Sequence, residues 1–225
     1  MTKPMVVTPT YNERENIAPL VERLIAHDLQ VLVVDDGSPD GTAALARQAG
    51  AQVLERTGKL GLASAYVAGF ERALELGAER VVQMDADLSH DPDDVPRLVA
   101  AEADLALGSR YVKGGGTRNW PLNRRLLSRG GSLYSRLMLG LPQRDLTGGF
   151  KCWDAGLLRE VLSRPVRSQG YAFQVEMTLR AVRAGARVIE VPILFTERVE
   201  GASKMSRDIA IEAALVIPLL RFREG

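Results

Sequence analysis

Two carboxylates one residue apart, Asp85 and Asp87, follow directly on the strand-like run Val81-Val82-Gln83-Met84. Carboxylates are hard oxygen donors suited to Mg2+ or Mn2+, ions that keep several waters and also take substrate phosphate oxygens. A departing diphosphate would gain most, because the ion neutralises the developing charge without a proton donor. Asp-x-Asp also occurs in ordinary surface turns, but here it closes a buried strand, and in α/β sheets ligands collect at that end. Two more polar clusters follow strand-like runs: Pro9, Thr10, Tyr11, Asn12 and Glu13, and the stretch 35–42, Asp-Asp-Gly-Ser-Pro-Asp-Gly-Thr. An aromatic ring and acceptor carboxylates can stack on a base and hold its N–H groups or a ribose hydroxyl. The second cluster is equally a turn that caps the next helix. It is not an EF-hand, since Arg47 stands where the bidentate Glu belongs. Nor is Gly58-Lys59-Leu60 a phosphate-binding loop, because the upstream glycine and the following Ser or Thr are missing.

The elements that must position these groups alternate. Stretches 4–8, 30–35, 51–55, 79–84 and 103–108 read as strands, and between them 42–48, 63–76 and 93–101 read as helices. The first helix places Ile17, Leu20, Val21, Leu24 and Ile25 at helical spacing, with Asn12 or Asn16 as its cap. Strands without polar alternation, such as 31–34, imply a sheet covered on both faces, hence a doubly wound, largely parallel α/β design. After Gly108 the alternation stops. A glycine-rich turn at 114–116, a helical stretch at 124–139, a strand-like run at 187–195 and a polar loop at 196–206 follow. We expect one domain over 1–206, with a nucleotide half (1–108) and an acceptor half (109–206), and a C-terminal amphipathic helix over 207–225 interrupted by Pro218.

The 225 residues suffice for one sizeable core. The net charge is only +1, yet eight of the 29 basic residues and none of the 28 acidic ones fall between positions 105 and 144. Apolar residues interleave with those arginines, a pattern that fits an element lying on anionic lipid, or else a core-packed helix with a solvated face. The single cysteine, Cys152, excludes an internal disulfide and reads as a buried, inert thiol in a reducing compartment. The longest wholly apolar stretch, 213–220, falls short of the about 20 residues a spanning helix needs. With no leader before the first strand, the expected placement is cytoplasmic. His27 reads as a solvated helix residue, and His90 as part of the turn after Asp87.

In order along the chain stand Pro-Thr-Tyr-Asn-Glu, Val-Asp-Asp-Gly-Ser-Pro-Asp-Gly-Thr, Asp-Ala-Asp-Leu-Ser-His, Gly-Ser-Arg-Tyr, Asn-Trp-Pro before Arg-Arg, Leu-Thr-Gly-Gly-Phe-Lys and Ser-Lys. Together they resemble the dolichyl (polyprenyl) phosphate mannose synthases, which are family 2 glycosyltransferases. The resemblance runs from about Met5 to Ser206. It implies a nucleotide-diphosphate-sugar transferase fold (GT-A, Rossmann-like), GDP-mannose as donor, Mg2+ or Mn2+, and a dolichyl or polyprenyl phosphate acceptor. It also implies a peripheral enzyme at the cytoplasmic face of a membrane, with a small membrane subunit as a possible partner.

Carried over by position, Pro9, Tyr11, Glu13, Val34 and Asp36 match the guanosine side, and Asp85, Ala86 and Asp87 the metal and diphosphate side. Arg198 and Lys204 match a diphosphate clamp, whose chemistry suits a charged fork and a point charge. Ser89 stands where some members carry a metal-holding glutamine, and we expect water to take that place beside the donor. Arg110, Arg124 and Arg125 would hold the acceptor phosphate, Arg110 touching the donor as well, and Asp87, Arg110 and Arg124 are the expected catalytic residues. A phosphate monoester is already anionic, so positioning and charge balance matter more than a general base, and in-line displacement with inversion is expected. Three other readings stay open: the same chemistry with UDP-glucose or another nucleotide sugar, a sugar nucleotidyltransferase, and a nucleic-acid-binding module built on the basic stretch. The last leaves the carboxylates idle, so no nucleic acid partner is expected.

Overall fold

The computed structural model describes residues 3–197 and 216–222. Its first half alternates: β1 (Met5–Thr10), α1 (Arg14–Ala26), β2 (Gln30–Asp35), α2 (Thr42–Gln48), β3 (Gln52–Glu55), α3 (Leu62–Glu75), β4 (Arg80–Gln83), a 3-10 turn with α4 (Val95–Val99), and β5 (Leu105–Ser109). The second half adds β6 (Gly116–Arg118), α5 (Leu122–Leu139), β7 (Lys151–Asp154), α6 (Ala155–Leu162), α7 (Gly170–Arg183), β8 (Val188–Pro192) and β9 (Leu194–Thr196). Seven strands form one sheet in the order β3-β2-β1-β4-β7-β5-β8, and β6 pairs with β9 in a two-stranded ribbon. All pairings are parallel except those of β7, which runs antiparallel between β4 and β5.

Both sheet faces are covered, as the uninterrupted apolar strands require. One core joins α3, α6 and α7 to the sheet around Tyr66, Phe70, Trp153 and Phe173, and the other joins α1, α2 and α4 around Ile17, Leu20, Leu24 and Phe150. Gly69 sets the depth of α3: a Cβ there would meet Val7 Cγ1 at 2.4 Å and Val34 Cγ2 at 2.7 Å. The helix therefore lies close on the sheet, and Tyr66, one turn earlier, reaches the strand ends. The same packing wholly buries the side chain of Val34 against α3.

Differences from the sequence reading are local. Glu13, not Asn12 or Asn16, occupies the N-cap of α1, and Asn16 Nδ2 instead donates to Glu13 Oε2 at 2.9 Å. The run 187–195 breaks into β8 and β9 around Ile193. β7, α6 and α7 are elements that the sequence pattern did not announce. The polar loop beyond Glu197 and the start of the C-terminal helix lie outside the described residues, while 216–222 is helical and packs Ile217 and Leu220 onto Leu141, Val175 and Leu179. No helix among the described residues is long and apolar enough to cross a membrane.

Candidate active site

β4 ends at Gln83, and the chain turns through Asp85 and Asp87 before Leu88 takes a left-handed backbone at φ 57°. Strain of this kind costs about 1–3 kcal/mol and persists only where its surroundings fix it. Here the Ser89 N–H donates to Asp87 Oδ1 at 3.1 Å and the Asp85 N–H donates to His90 Nδ1 at 3.4 Å. His90 is buried, with its ring stacked on Phe150 at 4.9 Å and edge-on to Phe195 at 5.1 Å. Burial lowers its pKa, outweighing the opposite pull of Asp85 and Asp87, and its Nδ1, already accepting from the Asp85 N–H, holds the turn.

Asp85 and Asp87 line two adjoining cavities of about 330 and 100 Å³. The larger is also bounded by Pro9, Glu13, Ala86 and, from α7, Tyr171 and Gln174. The smaller is bounded by Ser89, Arg110, Trp120, Arg124, Ser128 and Thr147. A methyl group at Gly149 would stand 3.5 Å from both Asp85 Oδ2 and Gln174 Nε2, so the absent side chain keeps this space open. The Ser89 hydroxyl is buried in the same lining without a hydrogen-bond partner. Among the described residues no third His, Cys, Asp or Glu joins the pair to make a closed metal cluster. Two hard oxygens with open positions beside them fit a Mg2+- or Mn2+-type ion that keeps waters and takes diphosphate oxygens.

The arginines come from the other wall. Arg110 follows β5, and its Nε and Nη2 each donate to Asp145 at 2.7 Å, while Nη2 also reaches Thr147 Oγ1 at 3.1 Å. Asp145 is fixed by Glu190 of β8, which accepts from the Arg144 and Asp145 N–H groups at 2.8 and 3.0 Å. Burial alone would lower the pKa of Arg110, but the Asp145 carboxylate outweighs it and raises it, so the guanidinium stays charged. Arg124, in the first turn of α5, lies 4.3 Å over the Trp120 ring and donates to Glu197. Arg125 is exposed, its Nη2 3.5 Å from the Thr117 carbonyl, and is not part of either lining. The segment 105–144 thus carries no acid of its own, yet folding brings Asp145 and Glu197 onto two of its arginines. Neither partner was legible in the sequence.

The nucleotide-side candidates spread along the neighbouring strand ends. Pro9 and Glu13 reach the larger cavity, whereas the Tyr11 ring carries Lys59 Nζ 4.6 Å above it. Asp36 is buried, accepts from the Leu60 N–H at 3.2 Å and faces Arg56 Nε at 3.4 Å. Asp35 and Asp40 shape the turn: Asp35 accepts from Thr10 and Ser38, and Asp40 from Thr42 and Arg14. Arg198 and Lys204 lie outside the described residues.

Helix α5 is turned inside out. Ser128, Ser132 and Ser135 face the body, with Ser128 accepting from the Tyr111 hydroxyl at 2.6 Å, while Leu122, Leu126, Leu133 and Leu137 are 52–71% exposed. Exposed leucines in such a stripe mark an interaction surface.

The sequence profile described as "Glycosyl transferase family 2" matches residues 5–162. The chain belongs to glycosyl transferase family 2. This glycosyltransferase is 48% identical over 214 residues to the polyprenol monophosphomannose synthase of Mycolicibacterium smegmatis, covering 90% of this chain and 80% of that protein. It is 47% identical over 220 residues to the undecaprenyl-phosphate mannosyltransferase of Micrococcus luteus, covering 94% and 90%. Among solved structures, glucosyl-3-phosphoglycerate synthase of Mycobacterium tuberculosis in complex with Mn2+, UDP and phosphoglyceric acid aligns with a TM-score of 0.71 at 21% identity, over 99% of this chain and 78% of that one. A second crystal structure, of a mycobacterial protein, gives 0.72 at 20% identity, over 97% and 74%. At that identity the likeness speaks for the fold, a GT-A-like α/β transferase fold with a mostly parallel sheet.

Proposed function

We propose that this glycosyltransferase moves mannose from GDP-mannose to a dolichyl or polyprenyl monophosphate, giving polyprenyl phosphate β-mannose and GDP. The observation that carries the reading is the small cavity in which Asp85 and Asp87 face Arg110 and Arg124, with room beside it for a nucleotide. The names of the two curated relatives support the sugar and the lipid phosphate, and the resemblance of the motifs supports the guanosine donor.

Asp85 and Asp87 are the residues that would hold Mg2+ or Mn2+, which when bound supplies charge neutralisation to the departing diphosphate. Pro9, Tyr11, Glu13 and Asp36 would receive the nucleoside, with Ala86 and Ser89 beside the diphosphate and Arg198 and Lys204 closing on it. Arg110 and Arg124, with Arg125 at the rim, would hold the acceptor phosphate. Their supports at Asp145, Trp120 and Glu197 fix their direction before substrate arrives, which lowers the cost of orienting two anions together. A non-bridging oxygen of the acceptor then attacks the anomeric carbon opposite the diphosphate, forming the new C–O bond as the old one breaks, with no proton in transit. The outward leucines of α5, set among Arg124, Arg125, Arg129 and Arg136, would rest on anionic lipid and bring the acceptor head group to the cavity from the cytoplasmic face.

The anomeric configuration of the product tests the chemistry. Proton NMR of the mannolipid made from the α-linked donor should report a β-linked phosphate; an α-linkage would rule out single in-line displacement.

A further inference from the structure

Asp85 does not stand alone at its strand end. The Tyr66 hydroxyl donates to Asp85 Oδ1 at 2.7 Å, and both carboxylate oxygens border the open space beside Gly149, Oδ2 the nearer at 3.5 Å and Oδ1 at 3.7 Å from where a Cβ would stand. Tyr66 itself is wholly buried, with its ring stacked between Phe70 and Phe173 at centroid distances of 5.6 and 6.0 Å. Two aromatic faces therefore fix the ring, and Gly69 fixes the depth of the helix that carries it. Gln83, on the strand leading to Asp85, is locked from the same side, its Nε2 donating to Gln174 Oε1 at 2.8 Å.

A metal-holding carboxylate is pinned by the hydrogen bond to the oxygen it does not offer, and removal of such a partner weakens metal binding. We infer that Tyr66 is a positioning residue for the transfer: its hydroxyl occupies Asp85 Oδ1 and thereby aims Oδ2 at the divalent cation. This rests on the proposed metal role of Asp85. It makes the buried face of α3 part of the active site.

The test is Mn2+ binding in the presence of GDP, followed by electron paramagnetic resonance on the full chain. Tyr66→Phe keeps the ring and its stacking, and should weaken Mn2+ binding roughly ten- to a hundredfold with GDP binding in the absence of metal unchanged. In an Asp85→Asn background the same substitution should add no further loss, because the hydroxyl acts through that carboxylate. Leu24→Ala, which opens a cavity in the other core, around α1, and leaves the stacking of Tyr66 intact, should lower the melting temperature and leave Mn2+ affinity as in the wild type. Wild-type affinity in Tyr66→Phe, equal losses in both backgrounds, or a comparable loss in Leu24→Ala would each overturn the inference. If the wild-type chain itself takes up no Mn2+, the metal reading falls and this inference with it.

Discussion

Arg124 is held on two sides before any substrate arrives, by the face of Trp120 and by Glu197. A side chain already fixed in this way loses little freedom on meeting a phosphate, and hydrogen bonds to charged groups contribute about 1.5–3 kcal/mol. Arg124→Ala should therefore raise the apparent KM for a polyprenyl phosphate roughly ten- to a hundredfold, with donor binding unaltered in titrations with GDP-mannose. An unchanged acceptor KM would remove Arg124 from the acceptor site. Arg110 calls for more caution in design, because its buried pair with Asp145 means that any truncation also leaves a carboxylate uncompensated, at a cost of about 3–5 kcal/mol. At this scale the sequence revealed the groups that end strands, Asp85, Asp87 and Arg110. It concealed those that hold them, Asp145, Glu190 and Tyr66, because a supporting hydrogen bond leaves no trace in spacing.

Among the elements, those with a clean period were legible and those buried all round were not. α1 and α3 show one apolar face and were recognised, whereas α7 buries the ten consecutive residues from Ala172 to Ala181, including Gln174, Glu176, Thr178 and Arg180. Its polar residues are satisfied internally, as where Arg180 Nη2 donates to Glu176 at 2.5 Å, so hydrophobic periodicity carried no signal there. β7 is four residues with a charge at each end, yet it is the strand that joins the two halves of the sheet. α5 was legible as a helix but not in its orientation, since only the fold reveals that serines face inward and leucines outward. That inversion yields a prediction for the element. Leu126→Asp with Leu133→Asp should cut co-sedimentation with anionic vesicles by roughly an order of magnitude or more, given about 1.5–3 kcal/mol per buried leucine, while GDP-mannose affinity and melting temperature stay as in the wild type. A drop in melting temperature with lipid binding intact would make α5 a structural helix.

For the molecule as a whole, Lys151 couples stability to pH. It is fully buried in β7, its Nζ donating to the Gln174 carbonyl at 2.8 Å and Thr178 Oγ1 at 3.0 Å. Burial lowers its pKa from 10.5 to about 7, with Asp145 opposing only in part. Between those values the unfolded chain holds a proton that the folded chain releases, so stability rises with pH across that window and levels off below about pH 7. Cys152, whose thiol pKa burial raises above 9.0, acts in the opposite sense once the unfolded thiol ionises. The clearest comparison is therefore between pH 7 and 9. Lys151→Met should melt higher than the wild type at pH 7 and show a flatter rise toward pH 9. Parallel slopes for the two proteins would mean that Lys151 keeps its proton inside the fold.

These scales meet in one reaction, in which a carboxylate pair and an arginine pair share a cavity beside a helix whose leucines face outward. The most direct measurement supplies the purified chain with Mn2+, a polyprenyl phosphate and radiolabelled GDP-mannose or UDP-glucose in parallel, with Asp87→Ala as the blank. The account predicts organic-phase label from GDP-mannose with the wild type and none with the variant. Label from UDP-glucose alone, or transfer from GDP-mannose that survives loss of Asp87, would contradict it.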